Sequence, residues 1–561
     1  MDVERGLQAI TARLGPFHIA MCALLSTAYV YQALFNLTFV FTTMRSEHRC
    51  LVPECESNAS LPDMFPPWLS SAVRPASADT CSPYLMEVEC GGRGRRNVSV
   101  PCDQWVYPDK DLSIMTEWDL TCSNDWLIAM VGTANSLGRA LGLPLFGYLS
   151  DAMGRRTALL VGLAVSCCLG TARSFAPNYA TFVSLEFVDP LFYDGIGGAA
   201  FIMGMELMPV KARGAWSAIT HVIFAVGLAL LGVLAWLLPH WRLLLRVVYG
   251  SALLCLAALW FSPESVRWLA SKGRSVEAFK IINKAAKMNG MPDIGPAAKS
   301  GTESQGPKVS DAAAPTPRSS FSMDIKEFCR SRILVLRLIV SCISWIAIMF
   351  VYDGLAVYSV SLAGDQYLNF VLMELVEVPA ALIAWKTMAS AGRRATLVGA
   401  ILPAAACCVA YHFLPAPPHG AVWPRTAAVL LAKLCVTVAY TSNYVLAAEL
   451  FPTRVRHTMY ALSATCGRLG SALGPQMPLL RVYMESLPLL VFGAVSFLTG
   501  LLALTFPETC DEPLPDTVEQ AEAIGKKRPG PGPGPEPEPA SAAEAPVQLR
   551  QITPRCASSN S

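Results

Sequence analysis

Charge is what this sequence has least of. Only 15% of its 561 residues are Asp, Glu, Lys or Arg, against 53% hydrophobic, and the mean hydropathy is +0.41. A soluble chain of this size needs a more charged surface, so the balance places the chain in a membrane. The net charge of +2 gives no basis for a nucleic-acid partner. Histidine is scarce as well: the seven present do not cluster, and no His/Cys spacing suggests a metal site. No glycine-rich loop with a phosphate-binding lysine is found, so an ATP-driven pump is unsupported. "GIGGAA" (195–200) partly mimics a dinucleotide fingerprint, but it sits in an apolar run with no strand before it. With no nucleophile–base arrangement either, the reading is a non-enzyme without a cofactor. The N-terminus, "MDVERGLQ", does not resemble a cleaved signal peptide, so the first apolar run is expected to be retained.

Long apolar runs are what the chain has in quantity. A helix needs about 20 apolar residues to cross a bilayer. Twelve candidates meet that length: 17–42, 125–148, 157–174, 178–205, 214–237, 243–261, 332–354, 366–387, 395–413, 426–448, 458–479 and 486–506. Around them lie a short N-terminus (1–16), a polar loop (43–124), a central segment (262–331) and a tail (507–561). Spans two to six (125–261) complete a first group of six, and 332–506 holds the second group. Basic residues fall in alternate short loops: Arg155 and Arg156, Lys211 and Arg213, Arg393 and Arg394, Arg454 and Arg456. Arg267, Lys272 and Arg274 open the central segment on the same side, which the distribution of charge makes cytoplasmic. The loop 43–124 falls opposite. It holds Cys50, Cys55, Cys81, Cys90, Cys102 and Cys122, and the sequons at Asn58 and Asn97. That combination reads as an extracellular, glycosylated loop stapled by disulfides of open connectivity, with both termini cytoplasmic. A third sequon, at Asn36, is buried in an apolar run and is expected to stay unmodified. "SVEAFKIINKAAKMNG" in the central segment has helical spacing, and the Pro/Gly-rich tail reads as low complexity.

The two groups are written in the same phrases. "ELMPVKAR" (206–213) closes the fourth span and "ELFPTRVR" (449–456) closes the tenth, 449 − 206 = 243 residues apart. "GYLSDAMGRR" follows the second span and "MASAGRR" the eighth, with Gly154 set against Gly392. An acid–proline–arginine phrase at a cytoplasmic helix end suits a latch made and broken between conformations. The residues expected in it are Asp151, Arg155, Arg156, Glu206, Arg213, Glu449 and Arg456. Two small-xxx-small patterns, "GRALG" (Gly138, Gly142) and "GSALG" (Gly470, Gly474), are expected to pack the halves together.

Further phrases carry a family likeness: "CDQWVY" (102–107), "TEWDLTC" (116–122), "PESVRWLASKGR" (263–274), "AAKMNG" (285–290), "VEVPA" (376–380) and "FPETCDEPLPDTVE" (506–519). With "ELFPTRVR" they make the chain resemble the organic ion transporters of solute carrier family 22, in the major facilitator superfamily. The likeness implies an all-α membrane fold of twelve helices in two pseudo-symmetric bundles. It also implies a plasma-membrane location, a small organic ion as substrate and alternating access, by facilitation or exchange. A counter-ion or proton is the implied coupling partner, and the oligomeric state is left open. Departures stand out: Glu186 where members usually carry an arginine, Ala152 after Asp151, and Ala389 where the second copy usually has an acid. They put the usual gating switch in question, so a transporter-like receptor is one alternative.

Arg468 points to an anionic substrate. The resemblance makes this eleventh-span position basic in anion carriers, and an intramembrane arginine should face a cavity or a partner. Its planar donor fork suits a carboxylate or sulfate. The structural alternative is a pair with an acid such as Glu377 or Asp353. Glu186, Asp189 and Asp194 in the fourth span, with Glu374 and Glu377 in the eighth, argue the other way. They would attract a cation or zwitterion, carry a proton, or neutralise Arg468 and Lys433. Tyr29, Tyr31, Trp345, Tyr352, Tyr440 and Tyr444 are candidate cavity aromatics, with only one of Tyr29 and Tyr31 expected to face inward. With Arg468, Lys433 and Glu377 they form the expected binding set.

Overall fold

Apolar runs this long satisfy their backbone in lipid only as helices, and helices are what the chain builds. The computed structural model describes residues 3–11, 14–51, 73–74, 84–87, 97–100, 104–209, 212–292, 321–415, 421–453, 455–510, 515 and 517–525. Twelve helical units dominate them. The first six are α1 (Pro16–Asn36, continued by Thr38–Thr42), α2 (Asp125–Met153), α3 (Arg155–Arg173), α4 (Tyr179–Val188 and Pro190–Leu207), α5 (Arg213–Leu237) and α6 (Trp241–Leu259). The second six are α7 (Arg332–Tyr358), α8 (Gln366–Leu375 and Glu377–Ser390), α9 (Arg393–Phe413), α10 (Trp423–Leu450), α11 (Arg456–Leu473) and α12 (Leu487–Ala503). Eight of them, α1, α3 and α5 to α10, are long and apolar enough to cross a membrane by length and composition alone. The other four fall short for visible reasons. α2 buries Asn135, Ser136 and Arg139, α4 is split and acidic, α11 carries Arg468, and α12 is 17 residues long.

Each group of six has its own apolar core. One centres on Phe35, Tyr193, Trp241 and Tyr249, the other on Val351, Ile401, Val436 and Phe492. The expected small-residue packing exists but joins different partners. Gly138 and Gly142 let α2 lie against Phe187, Pro190 and Leu191 of α4, while Gly470 and Gly474 let α11 lie against Ile346 and Gly354 of α7. Both patterns therefore pack within a half, because small residues license close approach without choosing the neighbour. The halves meet instead where Gly132 of α2 faces Pro475, with Thr133 Oγ1 donating to Ala472 O at 2.8 Å and Ser136 Oγ to Ser471 O at 3.2 Å. Nearby, Phe41 of α1 stacks on Tyr367 of α8 with ring centres 5.9 Å apart. These contacts lie toward the end of the bundle that bears the loop 43–124, called the loop end below; Arg155 and Arg393 mark the opposite, basic end.

At the basic end a third small core holds the central segment on the first half. The amphipathic helices Val3–Ile10, Val266–Ser271 and Ser275–Met288 bury Leu7, Ile10, Trp268 and Ile282 together. The Asn289 side chain accepts from the Phe17 amide at 3.0 Å, which fastens this core to the start of α1. At the loop end, Arg49–Cys50 pairs antiparallel with Trp105–Val106, and Val73–Arg74, Tyr84–Glu87 and Asn97–Val100 form a three-stranded sheet. Cys122 is disulfide-bonded. Asn58, Cys55, Cys81, Cys90 and Cys102 lie outside the described residues, as do the side chains of Cys50, Asn97 and Arg213.

Candidate functional site

Two prolines shape the interior. Pro190 offers no N–H to the Glu186 carbonyl and Pro379 none to that of Leu375, so α4 breaks at Asp189 and α8 at Val376. Each break brings two acids to a place where the helix cannot run straight.

In the first half those acids are sealed. Glu186 and Asp189 are fully buried, and Arg173 from the end of α3 is buried with them. Arg173 bonds Glu186 through Nη1 and stands 3.8 Å from Asp189. Asn135 Nδ2 donates to Glu186 Oε1 at 2.7 Å, and the Tyr249 hydroxyl to Asp189 Oδ2 at 2.7 Å. The guanidinium also donates to Tyr249 Oη at 2.9 Å and to Thr38 Oγ1 at 3.1 Å. The expectation that Glu186 and Asp189 serve a cation or neutralise Arg468 and Lys433 is corrected by Arg173, which takes both of them inside one bundle.

Charges at the seam pair between the halves. Arg468 Nη2 of α11 stands 3.2 and 3.4 Å from the two carboxylate oxygens of Asp194 on α4. Arg139 Nη2 of α2 reaches Asp353 Oδ2 of α7 at 3.2 Å, and its Nη1 donates to Asn36 Oδ1 at 2.5 Å. Neither Glu377 nor Asp353 is therefore the partner of Arg468. The acid comes from the other half, a choice that helix rotation makes and sequence spacing does not.

The second half supplies the aromatics. Trp345 is the hub, with Tyr440, Tyr444 and Tyr460 edge-on at 5.8, 6.3 and 6.0 Å. Tyr352 stacks on Tyr440 at 5.0 Å. Lys433 Nζ lies 3.6 Å from the centre of the Tyr352 ring and 2.9 Å from Glu377 Oε1. On the first half, Tyr29 packs edge-on to Trp216 at 6.4 Å, while Tyr31 turns away to donate to Ser251 O at 3.0 Å. Tyr31 thus serves the packing of α1 on α6 and drops out of the cavity set.

The residues expected to form one cytoplasmic latch form two, one in each half. In the first, Glu264 accepts the Arg156 amide at 2.9 Å, Glu206 accepts the Ser265 hydroxyl, and Arg155 pairs with Asp151 at 2.9 Å. In the second, Glu508 accepts the Arg393 amide at 2.8 Å, Thr509 Oγ1 donates to Glu449 Oε2 at 2.6 Å, and Arg393 pairs with Glu449 at 3.2 Å. Arg456 donates to the carbonyls of Phe451 and Pro515 at 3.1 and 3.3 Å. Further along the first set, exposed Arg274 holds Glu277 at 2.8 and 2.7 Å, a hydrogen bond that raises its guanidinium above the ordinary value.

Sequence reasoning missed Arg139, Arg173, Tyr460, Glu264, Ser265, Glu508 and Thr509. A signal existed for the last four. "PES" at 263–265 and "PET" at 507–509 are offset by 507 − 263 = 244 residues, within one of the spacing that links Glu206 to Glu449.

Comparison with known proteins agrees with this architecture. The family described as sugar (and other) transporter matches residues 86–517. The chain is similar to solute carrier family 22 member 21 of Mus musculus, 31% identical over 92% of this chain and 93% of that protein. It is likewise similar to organic cation/carnitine transporter 2 of Mus musculus, at 32% identity over 92% of this chain and 94% of the relative. Among solved structures, the xylose transporter XylE from E. coli in an inward open conformation aligns with a TM-score of 0.56 at 15% identity, covering 90% of this chain and 99% of the other. That likeness concerns the fold alone.

Proposed function

We propose, from the premise that this chain belongs to solute carrier family 22 within the sugar (and other) transporter family, that it carries organic anions across the plasma membrane by alternating access. The observation that supports an anion is the loose tie on Arg468. Among the described residues its hydrogen bonds run from Nη2 alone, to an acid of the opposite half at 3.2 and 3.4 Å. An arriving carboxylate would compete with Asp194 for the guanidinium and offer it a bidentate partner. Winning that competition releases a bond between the halves, so binding and rocking act on the same atoms. A substrate shifts the equilibrium only by such a difference between states.

In this reading the basic end is cytoplasmic and the loop end extracellular, glycosylated at Asn58 and Asn97 and stapled by its six cysteines. The contacts of α2 with α11 and of α1 with α8 then close the extracellular side. Asp151, Arg155, Arg156, Glu206, Arg213, Glu449 and Arg456, with Glu264 and Glu508, would fasten each half at its cytoplasmic end.

A second reading has its own support. The rings of Trp345, Tyr352, Tyr440, Tyr444 and Tyr460 suit an ammonium, and the second relative is named an organic cation/carnitine transporter. A zwitterion would place its carboxylate on Arg468 and its ammonium among the rings. Uptake of a labelled organic-ion panel into expressing cells, with surface biotinylation in parallel, separates the readings. For an anion, Arg468→Ala abolishes saturable uptake at normal surface level, and Asp194→Asn, which unties Arg468, retains it. Cation uptake that survives Arg468→Ala overturns the anion reading. Normal surface delivery with no flux of any panel member points to a receptor.

A further inference from the structure

One acid at the α8 break has no counterpart. Glu374 is 0% exposed, and neither of its carboxylate oxygens has a hydrogen-bond partner among the described residues. The other charges around the seam are matched one to one: Arg468 with Asp194, Arg139 with Asp353, and Lys433 with Glu377. Three cations therefore face four acids, 3 − 4 = −1, and the surplus is Glu374.

The groups around it come from every element packed on this part of α8. Lys433 of α10 is the nearest source of positive charge, and Glu377 of α8 and Asp353 of α7 add negative charge. Tyr352 of α7 and Tyr440 of α10 are stacked on each other beside Lys433. From α5, Gly232 meets Phe370 and Val371 one turn earlier, while the titratable residues of that helix, Arg213 and His221, lie near its opposite end. Lys433 reaches Glu374 only as a neighbouring charge, because its ammonium makes its close contacts 2.9 Å from Glu377 and over the Tyr352 ring at 3.6 Å.

A carboxylate is acceptor-only, and burying one without donors leaves its charge neither solvated nor hydrogen-bonded, which disfavours the ionised form. A proton removes that cost with the smallest possible ligand: it cancels the surplus charge and fits a space already filled by side chains. We propose that Glu374 is a proton-binding site, and that its proton is the coupling ion of the transport cycle. With the proton on, the seam is neutral and a carboxylate approaching Arg468 meets no net negative field. With the proton off, the surplus charge opposes that approach. Proton and organic anion would therefore travel in the same direction. The coupling rests on the transport reading above; the proton site does not.

Infrared spectroscopy of the purified full-length protein in lipid nanodiscs, titrated with pH, tests the site without any substrate. The expected result is a protonated-carboxyl C=O band that fades as pH rises, fades at lower pH in Glu377→Gln, which leaves Lys433 free for Glu374, and is lost in Glu374→Gln. Glu374→Leu, which replaces the acid with an apolar side chain of similar volume, gives the same loss should the glutamine variant assemble poorly. A band that survives both Glu374 variants, or no titrating band in the parent, overturns the site. Proteoliposomes loaded with a pH-sensitive dye and offered the labelled anion panel test the coupling. Uptake that acidifies the lumen in the parent and not in Glu374→Gln supports it. Uptake indifferent to an imposed pH gradient overturns the coupling and leaves the transport reading standing.

Discussion

At its basic end the first half ties Arg155 to Asp151 one turn away on the preceding helix end, whereas the second half ties the equivalent Arg393 to Glu449 on a different helix. The frames around the two arginines are otherwise alike. Gly154 and Gly392 have φ of +102° and +95°, and Glu264 and Glu508 sit where a Cβ on either glycine would go. Glu206 and Glu449 each accept a hydroxyl, from Ser265 and Thr509. What differs is residue 389, an alanine where the first half has Asp151. The loss of that acid, which in the sequence looks like erosion of a gate, coincides in the structure with a change of partner. The tie of the first half, across the α2–α3 turn to an exposed acid, has become a half-buried tie between α9 and α10 in the second.

Four tests break or sharpen this comparison. The largest effect is expected from Gly392→Ala. Its backbone, at φ +95° and ψ 171°, lies in a region that is essentially glycine-only, and a Cβ there would meet the Glu508 carboxyl at 2.7–2.8 Å. A loss of about 1–3 kcal/mol, read as a lower thermal midpoint of the purified protein, is the outcome, and Gly154→Ala should match it. Next is Glu508→Gln against Glu264→Gln. Glu508 gathers the amides of Arg393, Arg394 and Ala395 at the start of α9 at 2.8, 3.4 and 3.3 Å, while Glu264 takes from the start of α3 Arg156 at 2.9 Å. Removing a negative charge from a helix N-terminus costs about 0.3–1 kcal/mol, so the second-half variant should melt lower. Equal midpoints would mean the extra amides contribute nothing.

Glu449→Gln against Glu206→Gln compares the two hydroxyl acceptors. The first loses the 3.2 Å pair with Arg393, about 1 kcal/mol or less for a pair near the surface. A larger change in uptake rate is expected for the Glu449 variant, and the reverse order would make Glu206 the working acceptor. Smallest is Asp151→Ala. With Asp151 74% exposed, its pair with Arg155 should contribute only about 0–1 kcal/mol. Its midpoint should be unchanged within error, and a clear drop would show that the first half depends on the acid the second has lost.

Which features were legible in the sequence follows a physical line. Apolar runs mark all twelve helices, and in eight of them length and composition together meet what crossing a bilayer requires. The repeat placed Glu206 and Glu449 as equivalents, because equivalent helix ends keep their spacing along the chain. What could not be read was the choice of partner. The sequence makes Arg468 a cation needing a cavity or a partner, but its partner Asp194 comes from the opposite half, and Glu377 and Asp353 pair instead with Lys433 and Arg139. Glu186 and Asp189 read as available acids until Arg173, at the end of α3, closed on them. Partner choice depends on how far each helix is rotated and tilted, and a run of apolar letters sets neither. The glycine patterns failed the same way: close approach was right and the neighbour was wrong.

The two ties across the seam run in opposite directions. Arg139 of the first half reaches an acid of the second, and Arg468 of the second reaches an acid of the first. Each half thus lends one cation and one anion to the interface. Under the alternating access proposed above, rocking of the halves would separate a pair of opposed dipoles and carry no net protein charge across the field. An elementary charge moved through the whole membrane potential is worth about 2.3 kcal/mol per 100 mV. Reorientation of the empty carrier should therefore be electrically silent at these two pairs, and their share of any voltage dependence in uptake should be zero.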